Sequence, residues 1–340
     1  MSTRSTEKSF NSAIIPGIGA IDPRYANDFI ELDSSGGGLW RVGEEGVMRI
    51  VTPRDRKVEF IAFANKTLVY VKSAMGHPAI YPLPEARFEA PAEAVLMDLD
   101  GTSVHSEHFW VWIIEQVAAR LLGNPKFQLE PADEPHVSGH SVSEHLQYCI
   151  DKYCPDKKVE DARRHYFEIT HRELKEILEG RGRADAFVPS PGLKEFLLDL
   201  KGRGVKIGLV TSGLYEKAWP EIVSAFRVLG MGDPLEFYDA IISAGFAIRR
   251  GQVGTLGELE PKPHPWLYAE TARVGLGLDP SRRHRVIGME DSGAGVVSIR
   301  LAGFAAIGVG GGNIESSGVR PLLHGYCADL REALPVIVGS

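Results

Sequence analysis

Ala94-Val-Leu-Met-Asp-Leu-Asp-Gly-Thr102 is the stretch around which the chain is organised. A short apolar run, Ala94–Met97, ends in two carboxylates, Asp98 and Asp100, and then in Gly101-Thr102. Such a run followed by a glycine turn reads as a buried strand entering a loop. Two acids at the end of a buried strand are costly, because like charges repel and burial raises the penalty. A divalent cation beside a proton-transferring acid relieves both costs. The plainer alternative is a strand end with a turn, where aspartate is a common residue.

Downstream, the signals become helical. Glu107–Leu122 has no internal glycine or proline and stops at Gly123-Asn-Pro125. Ser143–Tyr153 and Glu160–Leu178 read as further helices, the second stopped by Gly180-Arg-Gly182. With no strand candidate between residues 105 and 186, this stretch reads as a helical insertion. From Pro189 strands and helices alternate. Helices are expected at Gly192–Lys201, Tyr215–Leu229, Pro265–Val274 and Ala294–Ala302, with Pro220 interrupting the second. Strands are expected at Val205–Val210, Tyr238–Ile242, His284–Met289 and Ala305–Val309. Alternation implies a parallel sheet covered on both faces, with ligands at the carboxyl ends of its strands. The polar groups fall there: Asp98 and Asp100, Thr211-Ser-Gly213, and Glu290-Asp291. Gly310-Gly-Gly312, after the last strand, lacks the Lys-Ser/Thr of a P-loop and reads as a flexible turn.

Upstream, residues 1–35 are polar and turn-rich. Leu39–Val42, Val47–Val51, Val58–Phe63 and Thr67–Val71 then read as short strands, and Pro78, Pro82, Pro84 and Pro91 mark an extended connector. The fold class is therefore α/β: a Rossmann-like parallel sheet core with an inserted helical subdomain and a small N-terminal β-rich appendage. Its expected parts are residues 1–92 for the appendage, 93–104 with 187–340 for the core, and 105–186 for the helical insertion. The appendage carries no recognisable chemistry. It reads equally as a packing or oligomerising module and as a cover for substrate.

Composition narrows the function. Across 340 residues, 44% hydrophobic and 24% charged content are those of a soluble globular protein. A net charge of −7 argues against a nucleic-acid surface. Cys149, Cys154 and Cys327 form no CxxC pair, no zinc-ligand pattern follows them, and free thiols suit a reducing compartment. No apolar run reaches the length of about 18 residues needed to span a membrane. The polar start MSTRSTEKSFNS lacks a signal-peptide core, so a cytoplasmic location is expected.

Four pieces now stand in order: the acid pair Asp98/Asp100, the hydroxyl pair Thr211/Ser212, Lys262 in Glu260-Pro-Lys-Pro-His-Pro265, and Glu290-Asp291 in Gly288-Met-Glu-Asp-Ser-Gly-Ala-Gly295. Each alone has a plain reading: a helix N-cap for the hydroxyls, a solvated lysine, a turn for the second acid pair. The ordered set, over residues 94–312, resembles the haloacid dehalogenase-like hydrolase superfamily. The helical insertion resembles the cap of its phosphoglycolate-phosphatase and β-phosphoglucomutase branch.

The resemblance implies phosphoryl transfer on a small phosphorylated metabolite, a sugar or polyol phosphate. A phosphate monoester is doubly anionic and its alkoxide is a poor leaving group, so a site must neutralise charge, supply a nucleophile and protonate the leaving oxygen. Asp98 is the implied nucleophile, forming an aspartyl-phosphate, and Asp100 the general acid and later base. Magnesium is the implied cofactor, on the Asp98 carboxylate, the Asp100 backbone carbonyl and Asp291, with Glu290 binding directly or through water. Thr211 and Ser212 would donate to phosphate, Gly101, Thr102 and Gly213 would bring backbone close to it, and Lys262 would neutralise it. In the cap, Glu107 is a common residue of the branch, and His140 lies in a loop resembling the specificity loop. Carbon–halogen enzymes of the family lack an acid at the Asp100 position, which favours phosphoryl transfer here. Three departures stand out: His105 where Asp is frequent, Trp110 where phosphomutases carry a histidine, and an insertion at 244–260 with Arg249 and Arg250. A phosphomutase, or a partner-binding protein acting through the N-terminal strands, are the alternative readings.

Overall fold

The computed structural model describes residues 14–72, 78–137, 142–243, 246–247 and 260–339. His140, Arg249 and Arg250 lie outside the described residues.

Five N-terminal strands form an antiparallel sheet in chain order: β1 Phe29–Leu32, β2 Arg49–Pro53, β3 Val58–Ala62, β4 Thr67–Val71 and β5 Ala79–Pro82. Alternation assigns the faces. Val51, Phe60 and Val69 are cross-strand partners on one face, and Ile50, Ile61 and Leu68 on the other. The second face is covered by Trp40 and Val47 from the preceding loop. Two of these strands escape a sequence reading. Phe29–Leu32 lies in the stretch read as turn-rich, and Ala79–Pro82 in the stretch read as a connector; β5 tolerates proline because an edge strand leaves one side of its ladder unused. Conversely, Leu39–Val42 is not a strand. Glycines 36–38 let the chain double back there, and a single bridge, Ser34 to Arg41, is all the pairing it makes.

The chain continues through β6 Ala94–Asp98, the two-residue β7 Val104–His105, and helices α1 Glu107–Leu122, α2 Val142–Tyr153 and α3 Val159–Leu178. Then come β8 Val188–Pro189, α4 Leu193–Gly202, β9 Lys206–Thr211, α5 Tyr215–Leu229, β10 Ala240–Ser243 and the short β11 Phe246–Ala247. Last are α6 Trp266–Glu270 running into a π turn at Thr271–Gly275, β12 Val286–Glu290, α7 Gly293–Leu301, β13 Ala305–Val309, α8 Ile314–Ser317, β14 Gly325–Cys327 and α9 Leu330–Val338. The main sheet has the order β11-β10-β9-β6-β12-β13-β14, parallel except for β11. Its strand β6 is central, so Asp98 ends a strand that is buried along its whole length. Pro220 does not interrupt α5. The helix runs on through it, with Pro220 buried on the packed face.

The described chain falls into two compact units. Residues up to Ser103, Ser190–Tyr215 and Leu235 onward form one; Val104–Pro189 with Glu216–Pro234 form the other. In the first unit, Ala94 and Leu96 of β6 share a continuous hydrophobic cluster with Leu267, Tyr268 and Ala272, with Val296 and Val297 of α7, and with Phe29, Phe60 and Val71 of the N-terminal sheet. The fit is close: a Cβ on Gly208 of β9 would lie 2.5 Å from Thr271 Cγ2. The N-terminal strands are thus a β-rich layer packed within this unit. The second unit carries α1, α2 and α3, and the two chain crossings pair as a ribbon, Val188 with His105. It also takes in 216–234, which the sequence reading left with the core.

The second unit is organised by buried acids. Asp133 accepts from Lys152 Nζ at 2.6 Å, from the Tyr148 hydroxyl at 2.5 Å, from the Tyr153 hydroxyl, and from the Glu130 amide at 2.8 Å. Burial opposes its ionisation, but these donors outweigh it and hold the carboxyl well below the usual range. The stability this supplies is present in full above the unfolded pKa of about 3.9 and is lost as pH falls towards the depressed native value. Urea unfolding of wild type and Asp133→Asn should therefore differ by a constant amount from pH 7 to pH 5 and converge below pH 4. A gap independent of pH would contradict the cluster's charge. In the same unit Trp110 Nε1 donates to the buried Glu221 at 3.2 Å.

Candidate active site

The site assembles at the carboxyl ends of β6, β9 and β12, all in the first unit. Asp98 is 5% exposed, and the Ser103 hydroxyl donates to its carbonyl at 2.6 Å, closing the turn after the strand. Gly101 has a φ of +83°, and a Cβ there would lie 2.1 Å from Asp291 Oδ2. Only glycine admits both the left-handed backbone and that approach. Thr102 is buried and donates to Asp291 Oδ1 at 3.4 Å.

At the end of β9, the Thr211 hydroxyl donates to Asp100 Oδ2 at 3.3 Å and accepts from the Gly213 amide at 2.8 Å. Ser212 Oγ accepts from the Lys262 amide at 3.2 Å. The hydroxyl pair therefore ties the acid loop to the lysine loop and is not a plain helix cap. Gly213 turns its own amide to Thr211.

Lys262 is buried. Its Nζ donates to Asp98 Oδ1 at 2.5 Å and to Glu290 Oε1 at 2.6 Å. This is no solvated lysine. Glu290 is saturated: Oε1 also accepts from the Tyr268 hydroxyl at 2.7 Å, and Oε2 accepts from the amide and hydroxyl of Ser292 at 3.2 and 2.9 Å. Two lone-pair sites on each oxygen are thereby filled.

Electrostatically the site holds more negative charge than Lys262 balances. Burial, then Glu290, raises Asp98 well above the usual carboxylate range, with Lys262 opposing and Asp291 and Asp100 adding to the rise. Burial and Glu290 push Asp291 up to about 7. Burial works against the charge on Lys262, but Asp98 and Glu290 outweigh it and raise its pKa. Oxygens of Asp98, Glu290 and Asp291 lie within 4.8 Å of one another, an all-oxygen donor set of the kind a hard divalent cation prefers. Such a cation fits the site's charge and its chemistry.

Of the residues singled out in the sequence, Asp98, Asp100, Gly101, Thr102, Thr211, Ser212, Gly213, Lys262, Glu290 and Asp291 converge in this unit. Glu107 is the exposed first residue of α1 in the other unit. Sequence reasoning missed Tyr268 and Ser292, which fill Glu290. It also read Gly312 as part of a flexible turn, whereas a Cβ at Gly312 would stand 2.2 Å from Asp291 Oδ2. The Ser292-x-x-Gly295 spacing at a helix start was the available signal for the cap, since the Gly295 amide donates to Ser292 Oγ at 3.1 Å.

Comparison with known proteins bears on the same stretch. The family model described as haloacid dehalogenase-like hydrolase matches residues 92–303. A β-phosphoglucomutase of Bacillus subtilis is 25% identical over 224 residues, 65% of this chain and 84% of that protein. Among solved structures, a putative β-phosphoglucomutase from Thermotoga maritima matches with a TM-score of 0.53 at 20% identity, over 72% of this chain and 98% of that one. A predicted phosphoglycolate phosphatase from Haemophilus somnus matches with a TM-score of 0.52 at 18% identity, over 73% and 98%. At these identities the solved structures speak for the fold.

Proposed function

This chain belongs to the haloacid dehalogenase-like hydrolases, and we propose that within that family it is a magnesium-dependent phosphatase acting on a small phosphorylated metabolite, a sugar or polyol phosphate. The observation that carries the reading is Asp100. A second carboxyl stands two residues beyond Asp98 and is held by the Thr211 hydroxyl at 3.3 Å. A halide needs no proton to leave; an alkoxide does.

Asp98 attacks phosphorus through a carboxylate oxygen, the P–O ester bond breaks, and Asp100 delivers its proton to the departing alkoxide. Lys262 holds Asp98 in the attacking position and offsets charge on the phosphoryl group. Asp100, now ionised, takes a proton from the water that attacks the aspartyl-phosphate, and inorganic phosphate leaves with Asp98 restored. Thr211 orients Asp100 in both halves of the reaction. Asp98, Asp291 and the Asp100 carbonyl would hold magnesium directly, while Glu290, its oxygens already occupied, would add negative charge beside it. The metal, when bound, supplies charge neutralisation between carboxylate and phosphate.

The test is phosphate release from p-nitrophenyl phosphate and from a panel of sugar and polyol phosphates. Turnover is expected with magnesium, to vanish in EDTA, and to return on adding the metal. Undiminished turnover in EDTA, or none on any ester, overturns the reading. A phosphomutase is the second reading, favoured by the 25% identity to a β-phosphoglucomutase. Conversion of β-glucose 1-phosphate to glucose 6-phosphate without net phosphate release would select it.

A further inference from the structure

Tyr81 carries the N-terminal sheet to the lysine loop. Tyr81 lies on β5, and its hydroxyl is 2.7 Å from His264 Nδ1. The rings meet edge to face with centroids 5.7 Å apart. His264 is 2% exposed and stands two residues after Lys262, between Pro263 and Pro265. The family model's match begins at residue 92, so Tyr81 lies outside it.

The Trp266 ring also meets Tyr81 edge to face, with centroids 6.1 Å apart. The other ring nitrogen of His264, Nε2, faces Glu260 Oε2 at 3.8 Å. Burial lowers the His264 pKa against the pull of Glu260, which disfavours the charged ring. His264 is pinned on its backbone too: its amide donates to the Pro261 carbonyl at 3.1 Å and its carbonyl accepts from Ser298 Oγ at 2.6 Å. Three prolines at 261, 263 and 265 restrict φ along this segment. A ring held at 264 therefore limits where the Lys262 Cα can stand.

We propose that Tyr81 is a positioning residue for Lys262, acting through His264, so that the N-terminal sheet sets the geometry of the lysine on Asp98. The proposal rests on the phosphatase reading for what Lys262 does, and goes beyond it in giving the extra sheet a part in turnover. The sheet braces the opposite side of the site as well. The Asp55 amide, in the β2–β3 turn, donates to the Ser317 carbonyl at 3.3 Å, and Ser317 Oγ shares Asn313 Oδ1 with the Gly293 amide just beyond Asp291.

The test is a mutant cycle on the full chain. Tyr81→Phe keeps the packed ring and loses only the hydroxyl. It is expected to lower kcat about tenfold, or about 1.4 kcal/mol, with KM and melting temperature little changed. His264→Ala should lose at least as much, and His264→Asn, whose amide group can pair with the Tyr81 hydroxyl in place of Nδ1, should regain most of it. The double variant Tyr81→Phe/His264→Ala should be no worse than His264→Ala alone, because the two act as a unit. Additive losses, no rescue by asparagine, or a lowered melting temperature at unchanged kcat would each overturn the proposal. A second readout does not need turnover. Amide exchange at His264 should quicken in Tyr81→Phe while that of Val69 in the sheet stays as it was. If the wild-type protein hydrolyses no ester, the phosphatase reading fails, and exchange alone decides whether the clamp exists.

Discussion

Asp98→Asn is expected to reduce phosphate release about 10⁴-fold or more while leaving the metal-free protein at least as stable as wild type. The loss follows from the chemistry: an amide cannot form the acyl-phosphate, and removing a nucleophile from a working constellation removes most of its effect. The stability follows from the electrostatics. Burial, Glu290 and Asp291 raise the pKa of Asp98 against the pull of Lys262, so the ionised carboxylate costs folding stability. A neutral side chain of the same shape relieves it. Lys262 loses one of two carboxylate partners but keeps Glu290 at 2.6 Å, so no buried charge is orphaned. Turnover and thermal unfolding in EDTA, measured on the same preparation, separate the two effects. Full turnover in the variant would sink the nucleophile assignment. A melting temperature lowered by many degrees would assign the loss to folding.

The core strands and the acids were legible because their signals are local. Ala94–Asp98 and Ala305–Val309 are contiguous apolar runs, and each acid pair stands where its run ends. The N-terminal strands were only partly legible, because a four-residue strand is defined by its neighbour. Phe29–Leu32 becomes a strand by pairing with β2, and nothing in its own residues announces that. Leu39–Val42 has strand composition but sits between glycines that bend it away. Within the site, the sequence named the charged groups but not what completes them. Tyr268 and Ser292 look like a core aromatic and a helix cap, and only the fold puts both on Glu290. Gly312 has the look of slack, yet its missing side chain is what lets the loop touch Asp291. Tyr81 and His264 are separated by 183 positions, so no spacing rule joins them.

Deleting residues 1–90 is expected to leave a chain that does not fold into a soluble, active protein. Phe29, Val51, Phe60, Val69 and Val71 are each 3% exposed or less, in one cluster with Val297, Leu301, Phe304 and Tyr268. Burial of a large apolar side chain contributes about 1.5–3 kcal/mol, so losing these five removes roughly as much as the whole stability of a domain, about 5–15 kcal/mol. It also bares their partners on α7 and beside α6, a continuous apolar face that invites aggregation. A detachable partner-binding module predicts the opposite: a soluble truncated protein with unchanged turnover and lost assembly. Solubility, dye binding to exposed apolar surface and hydrolysis of p-nitrophenyl phosphate by the truncated chain distinguish the two. A milder change makes the same point without removing the sheet. Phe60→Ala, at a position 1% exposed, should cost about 3–5 kcal/mol in denaturant unfolding. That loss should come in one transition shared by the N-terminal sheet and the parallel sheet, because both sit on one core. Two separate transitions, with only the first moved by the substitution, would show that the N-terminal strands fold on their own.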